Sequence, residues 1–224
     1  MSLYRYFSSS TGKKFLMAFS GFFLFGFIVT HLAGNLRIFG GPEALNDYSN
    51  FLKEHGDLLW AARTGLIVMV VLHIWAAVAL TLENMRARPV EYASRDYIKA
   101  SYASRTMHWS GLIIFFYIGY HLMHFTFVKI HPEFGHFVDA QGRRDVYRMV
   151  VSSFQLPPVA LLYITANLLL GVHMSHGIYS MFQSLGLVRE DMRRPLRAVA
   201  HLVGYGIFLG YASIPLSVWL GVVR

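Results

Sequence analysis

The chain has 224 residues, of which 55% are hydrophobic and only 14% are charged, and its formal net charge is +8. This composition lies far outside that of ordinary soluble domains and is typical of an integral membrane protein. There is no cysteine, which excludes disulfides and any metal or cluster site built on this chain's own thiolates. The basic residues lie between apolar runs, so the net charge does not predict nucleic-acid binding.

Five apolar runs are long enough to cross a bilayer, because a spanning helix needs about 20 mainly apolar residues. The first run is longer than a signal-peptide core and lacks a small-residue cleavage site, so we expect it to be retained. The sequence predicts an all-α membrane protein, with residues 1–224 as a single integral membrane domain. Its five transmembrane helices are expected near residues 15–38, 58–82, 107–128, 156–182 and 198–222.

The basic residues predict the orientation of this bundle. Five spans place the two termini on opposite sides of the membrane. Twelve of the twenty lysines and arginines then lie on the side of the amino terminus and eight on the other. The positive-inside rule therefore favours a cytoplasmic amino terminus.

Histidines lie deep inside four of the predicted spans, and ionisable residues at such depths indicate function. With alternating helix direction and a rise of about 1.5 Å per residue, they sort by depth into two pairs. The outer pair joins His31 to His121 or His124, and the inner pair joins His73 to His173 or His176. Two imidazoles on facing helices are the arrangement that ligates haem iron. We therefore predict a membrane cytochrome b with two stacked b haems.

Within each His-x-x-His motif either histidine could be the iron ligand, because residues three apart share a helix face. The second histidine of each motif is also placed to meet a haem propionate or a quinone. An isolated buried histidine is more often a hydrogen-bonded structural residue, but four at paired depths favour ligation. The remaining histidines are expected to be solvated or interfacial, namely His55, His108, His131, His136 and His201.

Arginines and glycines near these histidines have two interpretations each. Arg37 and Arg105 lie at membrane boundaries, where arginine pairs with haem propionates or extends to lipid phosphates. Arg105 is the stronger propionate candidate because it lies close to Thr106 and His108. Glycines within the spans provide either clearance for a porphyrin or close helix packing; they are Gly21, Gly26, Gly34, Gly111, Gly119, Gly171 and Gly177.

Several motifs, taken in order, resemble one family over almost the whole chain. The first spans contain Ser20-Gly21, Thr30-His31-Leu32 and Leu72-His73. Ser104-Arg105-Thr106 leads to Gly111 and then to Tyr120-His121-Leu122-Met123-His124. The fourth span contains His173-Met174-Ser175-His176-Gly177-Ile178-Tyr179-Ser180, and Phe182-Gln183-Ser184-Leu185-Gly186 follows. This combination is similar to the dihaem cytochrome b anchors of succinate dehydrogenases and fumarate reductases, of the five-helix type with a single anchor polypeptide.

The resemblance implies which histidines bind iron. His31 and His121 would ligate the outer, distal haem, and His73 and His173 the inner, proximal haem. It also implies a distal quinone site near the outer haem, whose candidates here are Arg37, Glu54, His55 and His124.

The resemblance further implies a role in respiratory complex II of a prokaryotic cytoplasmic membrane, linked to the tricarboxylic acid cycle. A soluble flavoprotein with FAD would oxidise succinate, and an iron–sulfur subunit would pass electrons to this anchor. The anchor itself would not bind succinate; it would reduce a quinone, with menaquinone expected. Fumarate reduction is the reverse path, and the complex could form a higher oligomer.

One position departs from the family pattern. Some fumarate reductases of this type carry a proton-relaying glutamate two residues before the proximal ligand, where this chain has Gly171. Protons for quinone chemistry are therefore expected from the nearer aqueous side.

Two alternative functions stay open at the level of sequence. A cytochrome b subunit of a hydrogenase or formate dehydrogenase would also use bis-histidine haems. A haem-free anchor or transporter would show no haem absorbance.

Overall fold

A computed structural model describes residues 7–87 and 102–224, with side chains of the second part from Arg105 onward. Within these residues the chain is helical and contains no strand; Val138 and Arg144 form one isolated antiparallel bridge. The α-helices are α1 Ser10–Asn35, α2 Gly41–Glu54, α3 Gly56–Arg86, α4 Tyr102–His121, α5 Val146–Phe154, α6 Pro157–Ser184 and α7 Arg193–Trp219.

Short helical segments continue or connect these helices. Leu36–Gly40, Pro132–His136 and Glu190–Met192 are 3₁₀ turns, and Leu122–Thr126 is a single π-helical turn that extends α4.

The all-α prediction is confirmed for the described residues, and each predicted span coincides with a helix. Four helical stretches in residues 7–87 and 102–224 are long and apolar enough to cross a membrane, namely Ser10–Glu54, Gly56–Arg86, Pro157–Ser184 and Glu190–Trp219. Helix α4 is present but is not among these four, so a fifth span stays a prediction. Arg5, Arg88, Arg95 and Lys99, which the charge count used, lie outside the described residues.

Helix starts follow local sequence signals. Ser9 caps α1, where its Oγ accepts a hydrogen bond from the Gly12 N–H at 3.1 Å, and Asp145 caps α5 by accepting from the Arg148 N–H at 2.9 Å. Such side chains satisfy N–H groups that have no partner within the helix. Prolines occupy the first turns of α2 and α6, where the missing N–H costs nothing.

Helix α6 is the centre of the bundle, because it packs against α1, α4 and α7, while α3 packs against α1. Its contact with α7 brings two backbones together at Gly171 and Gly204. A Cβ added at Gly204 would lie 2.6 Å from the Gly171 carbonyl oxygen, and one added at Gly171 would lie 2.9 Å from the Gly204 oxygen. Only glycine fits at this crossing.

The two ends of the bundle are fixed differently. At the amino-terminal end, where α1 begins, Lys13 forms an ion pair with Glu83 near the end of α3. The Ser10 hydroxyl donates to the same carboxylate at 3.0 Å. Helices α1 and α3 therefore run antiparallel, as the sequence predicted.

The opposite end is covered by a polar cap that consists of α2 and residues 127–156. Asn46, only 2% exposed, donates to Asp145 at 3.0 Å and accepts from the Tyr147 N–H at 3.0 Å. Arg143 bonds Asp47 and Asp139. In sequence, α2 and α5 resemble simple connections between spans, and this cap was not predicted.

The α6–α7 crossing predicts the effect of a single methyl group. Gly204→Ala should destabilise the bundle by about 1–3 kcal/mol, because the methyl group meets backbone that cannot move aside. Gly206→Ala is the matched control, since its Cβ would meet no atom within 4 Å. Thermal unfolding in detergent measures the difference, and equal stability of the two variants would contradict the crossing.

Candidate functional site

The candidate site is a column of histidines from four helices. His73 of α3 and His173 of α6 lie toward the amino-terminal end of the bundle. His31 of α1 and His121, the last residue of α4, lie toward the cap. The two depths that the sequence predicted are thus both present in the helices.

Each inner histidine contacts a buried serine on a neighbouring helix. His73 Nδ1 lies 3.2 Å from Ser20 Oγ on α1, and His173 Nδ1 lies 3.2 Å from Ser110 Oγ on α4.

The serine hydroxyls fix the direction of these hydrogen bonds. Ser20 donates its hydrogen to the Leu16 carbonyl at 2.8 Å, and Ser110 donates to the Met107 carbonyl at 3.1 Å. Because each hydroxyl has only one hydrogen, the imidazole Nδ1–H then donates to the serine. That tautomer leaves the Nε2 lone pair of each ring free for a metal, as expected of a metal-binding histidine whose other nitrogen is hydrogen-bonded.

The same residue pattern occurs twice along the chain. Ser20-Gly21 precedes His31 in α1, and Ser110-Gly111 precedes His121 in α4, with eleven residues from serine to histidine in both cases. At about 1.5 Å per residue this spacing corresponds to about 16 Å along the helix axis. Helices α1 and α4 therefore contribute equivalent groups at the same two levels.

The outer histidines face one another directly. The ring centroids of His31 and His121 are 5.9 Å apart and the rings are nearly perpendicular, at 84°. His31 stacks on Phe27 with centroids 5.1 Å apart. His121 Nδ1 lies 3.4 Å from the hydroxyl oxygen of Tyr163 on α6.

The second histidine of each motif has a separate environment. His124, in the π turn, is 1% exposed; its Nδ1 lies 3.0 Å from the Tyr163 hydroxyl, and its Nε2 has no partner. His176 Nε2 lies 2.9 Å from Ser180 Oγ.

The other predicted site residues lie at the bundle ends. The Arg37 guanidinium lies 4.9 Å above the Tyr48 ring. Glu54 accepts from Asn50 at 2.7 Å, and His55 Nδ1 lies 2.9 Å from the Phe51 carbonyl. These contacts lie within α2 and its flanks, whereas His124 contacts α6, so no described contact joins the four candidates into one quinone site.

Arg105 lies in the first turns of α4, at the amino-terminal end. One turn later His108 Nε2 lies 2.8 Å from the Thr81 hydroxyl on α3. Both residues therefore lie nearer the amino-terminal end of the bundle than the inner pair.

Three residues near the histidines were missed by sequence reasoning, namely Ser20, Ser110 and Tyr163. The repeated Ser-Gly spacing could have found the two serines. No local pattern distinguishes Tyr163 from the other tyrosines of the chain.

The glycines divide between the two interpretations. A Cβ at Gly21 would lie 3.4 Å from the His73 ring, and one at Gly111 would lie 3.7 Å from the His173 ring. At Gly26, Gly119 and Gly177 an added Cβ would meet no atom within 4 Å. Gly34 packs against Tyr48 and Gly171 against Gly204. Some glycines therefore leave room beside the histidine rings, and others allow close packing between helices.

Together these residues fit a haem with two histidine ligands at each level. The imidazoles come from separate helices, the inner pair has free Nε2 atoms, and glycines adjoin the inner rings. Among residues 7–87 and 102–224, no cluster of three or more His, Cys, Asp or Glu side chains is arranged to hold a metal ion. Haem iron requires only two axial protein ligands.

Comparison with known proteins gives one match. A family model described as succinate dehydrogenase/fumarate reductase transmembrane subunit matches residues 84–212, which is more than half of the chain. The match includes α4, α6 and most of α7, and therefore His121 and His173. Neither the curated proteins nor the solved structures give a match.

Removal of the serine hydroxyls tests the inner pair. Ser20→Ala and Ser110→Ala should each weaken cofactor retention at the inner level by about 10–100-fold, the usual effect of losing the hydrogen-bond partner of a metal-bound histidine. Ser213→Ala is the control, because its hydroxyl donates to the Gly210 carbonyl of its own helix. Haem content and redox potential of the purified variants are the measurements. Unchanged values in both serine variants would contradict this role.

Proposed function

The chain belongs to the succinate dehydrogenase/fumarate reductase transmembrane subunit family, and on this basis we propose that it is a cytochrome b that transfers electrons to quinone. In this proposal it anchors a succinate:quinone oxidoreductase in the membrane. The path of electrons begins at the soluble subunits and ends at a quinone held by this chain.

The observation that supports the proposal most directly is the pairing of histidines at two depths. His73 and His173 would be the axial ligands of an inner b haem, and His31 and His121 those of an outer one. Bound haem supplies reversible one-electron chemistry. The two levels lie about 16 Å apart by helix rise, so two cofactors would extend through most of the hydrocarbon core.

The chain's own residues prepare these positions. Ser20 and Ser110 hold the inner imidazoles so that Nε2 points away from the helix that orients each ring. The hydroxyl of Tyr163, on α6, orients the imidazole of His121 in the same way. A hydrogen bond of this kind to the second ring nitrogen fixes the orientation of a metal-binding imidazole.

Partner binding is expected at the amino-terminal end. That end carries exposed basic groups, among them Arg189, Arg193 and Arg194, which suit a cytoplasmic face. We infer that the iron–sulfur subunit docks there, with the FAD-containing flavoprotein bound to it. The inner pair then lies nearest the electron donor, and the outer pair lies nearest the cap.

The quinone is expected near the cap, with menaquinone as the preferred species. Electrons would then cross most of the bilayer before they reach it, so the membrane potential could assist an otherwise uphill transfer from succinate. In this proposal the chain is a five-span protein of a prokaryotic cytoplasmic membrane, with a cytoplasmic amino terminus.

The donor test separates this function from its alternatives. In the purified complex, succinate should reduce the b-type absorbance and added naphthoquinone should reoxidise it. Reduction by formate or hydrogen but not by succinate would instead indicate a different dehydrogenase. A folded complex with no haem absorbance would contradict a cytochrome b function with any electron donor.

Histidine variants test the ligand assignment. His73→Ala and His173→Ala should each remove mainly one haem component, and His31→Ala and His121→Ala should remove the other, because each pair serves one level. His136→Ala in the cap is the control and should retain both. Optical redox titration resolves the components. Equal loss of both components in all four variants would contradict separate pairs.

A further inference from the structure

His124 is the buried polar group that the two histidine pairs leave unexplained. It is 1% exposed, its Nδ1 is occupied by the Tyr163 hydroxyl at 3.0 Å, and its Nε2 has no hydrogen-bond partner. A buried nitrogen without a partner is costly, and native proteins rarely retain one without a ligand, a water or a functional role.

A second histidine lies between His124 and the surface. The ring centroids of His124 and His131 are 5.5 Å apart, at 59°. His131 Nδ1 lies 3.3 Å from Glu133 Oε1, and their side chains are 24% and 61% exposed. Two groups that can hold a proton, Glu133 and His131, therefore lead from the aqueous side of the cap to the buried imidazole of His124.

The local backbone gives His124 this position. Residues 122–126 form a π turn, a rare feature that is frequent at functional sites. It is followed by Val128 at a φ of 50°, in the left-handed region. The turn brings His124 to the same tyrosine that His121 approaches, and so to the outer level of the bundle.

Helix α6 has no side chain that could carry a proton two residues before His173. At that position Gly171 is pressed against the Gly204 carbonyl at a distance that leaves no room for a side chain. In the cap, by contrast, His131 lies next to His124 on its aqueous side, and Glu133 lies next to His131.

We propose that Glu133, His131 and His124 form a proton path from the cap-side aqueous phase to the quinone, an inference that rests on the proposed quinone reduction at this end. Quinone reduction to quinol takes two electrons, which the reduced iron–sulfur subunit supplies, and two protons. For each proton, the Nε2–H bond of His124 in its imidazolium form breaks, an O–H bond forms on the quinone, and the imidazole ring is left neutral. His124 then regains a proton from His131 across at most one water, and His131 regains one from Glu133 or solvent.

The groups that surround His124 set the conditions for this transfer. The titratable neighbours are Tyr120 and His121 on the preceding turn of chain, Tyr163 from α6, and His131 from the cap. Tyrosine stays neutral at ordinary pH, so the transfer is assigned to His124 and His131, whose rings lie next to one another.

The test compares three variants of the purified complex, His131→Gln, Glu133→Gln and the control His136→Gln, which alters another histidine of the cap. His131→Gln should lower the rate of naphthoquinol formation about tenfold or more, the usual scale of a lost proton donor. Added imidazole should restore much of that rate. Glu133→Gln should have a smaller effect because solvent reaches His131 directly, and His136→Gln should have none.

Two further readouts separate failure of the path from failure of the proposed function. Haem content and haem reduction by succinate should be unchanged in His131→Gln. If the wild-type complex contains no haem and succinate reduces none, the proposed quinone reduction itself is contradicted. Deuterium exchange at the imidazole C2 of His124, followed by mass spectrometry, needs no turnover. The rate of this exchange should be measurable in wild type and severalfold lower in His131→Gln. Equal exchange in both proteins, or an unaffected quinol rate, would overturn the path.

Discussion

The hydrogen bonds between buried imidazoles and polar side chains of neighbouring helices govern this structure. A polar group without a partner in an apolar medium costs several kcal/mol, of the order of 2–7. Ser20 and Ser110 supply the partners of His73 and His173, and Tyr163 lies beside both His121 and His124. Each of these contacts joins two helices, so the hydrogen bonds that satisfy the histidines also fix the bundle around them.

The contact between α6 and α7 has a consequence for chemistry as well as for packing. Gly171 and Gly204 bring the two backbones together, and the same closeness excludes any side chain two residues before His173. The bundle therefore has no carboxylate at this position of α6. In the proposed path, protons come from the polar cap, where histidines and acidic residues are available.

Much of the fold followed from hydropathy, because a run of about 20 apolar residues has few alternatives to a spanning helix. The predicted spans match α1, α3, α4, α6 and α7 within a few residues. The cap was not foreseen, since α2 and α5 are short and their stability comes from contacts such as Asn46 with Asp145. Contacts between residues about 100 positions apart leave no local signal.

The histidine levels could be predicted from helix direction and rise, and the helices place these residues as expected. The repeated Ser-Gly motif was present in the sequence, but its role depends on Ser20 and Ser110 facing α3 and α6, which spacing within one helix does not determine. The difference between His121 and His124 depends on the π turn. Hydropathy treats that turn as ordinary helix.

A haem count on the purified complex, by pyridine haemochrome assay together with an optical redox titration, tests the paired histidines most directly. Two levels of histidines predict two b haems for each copy of this chain, with two separable potentials. A single haem, or a well-folded complex without haem, would contradict the paired arrangement on which the proposed electron path depends.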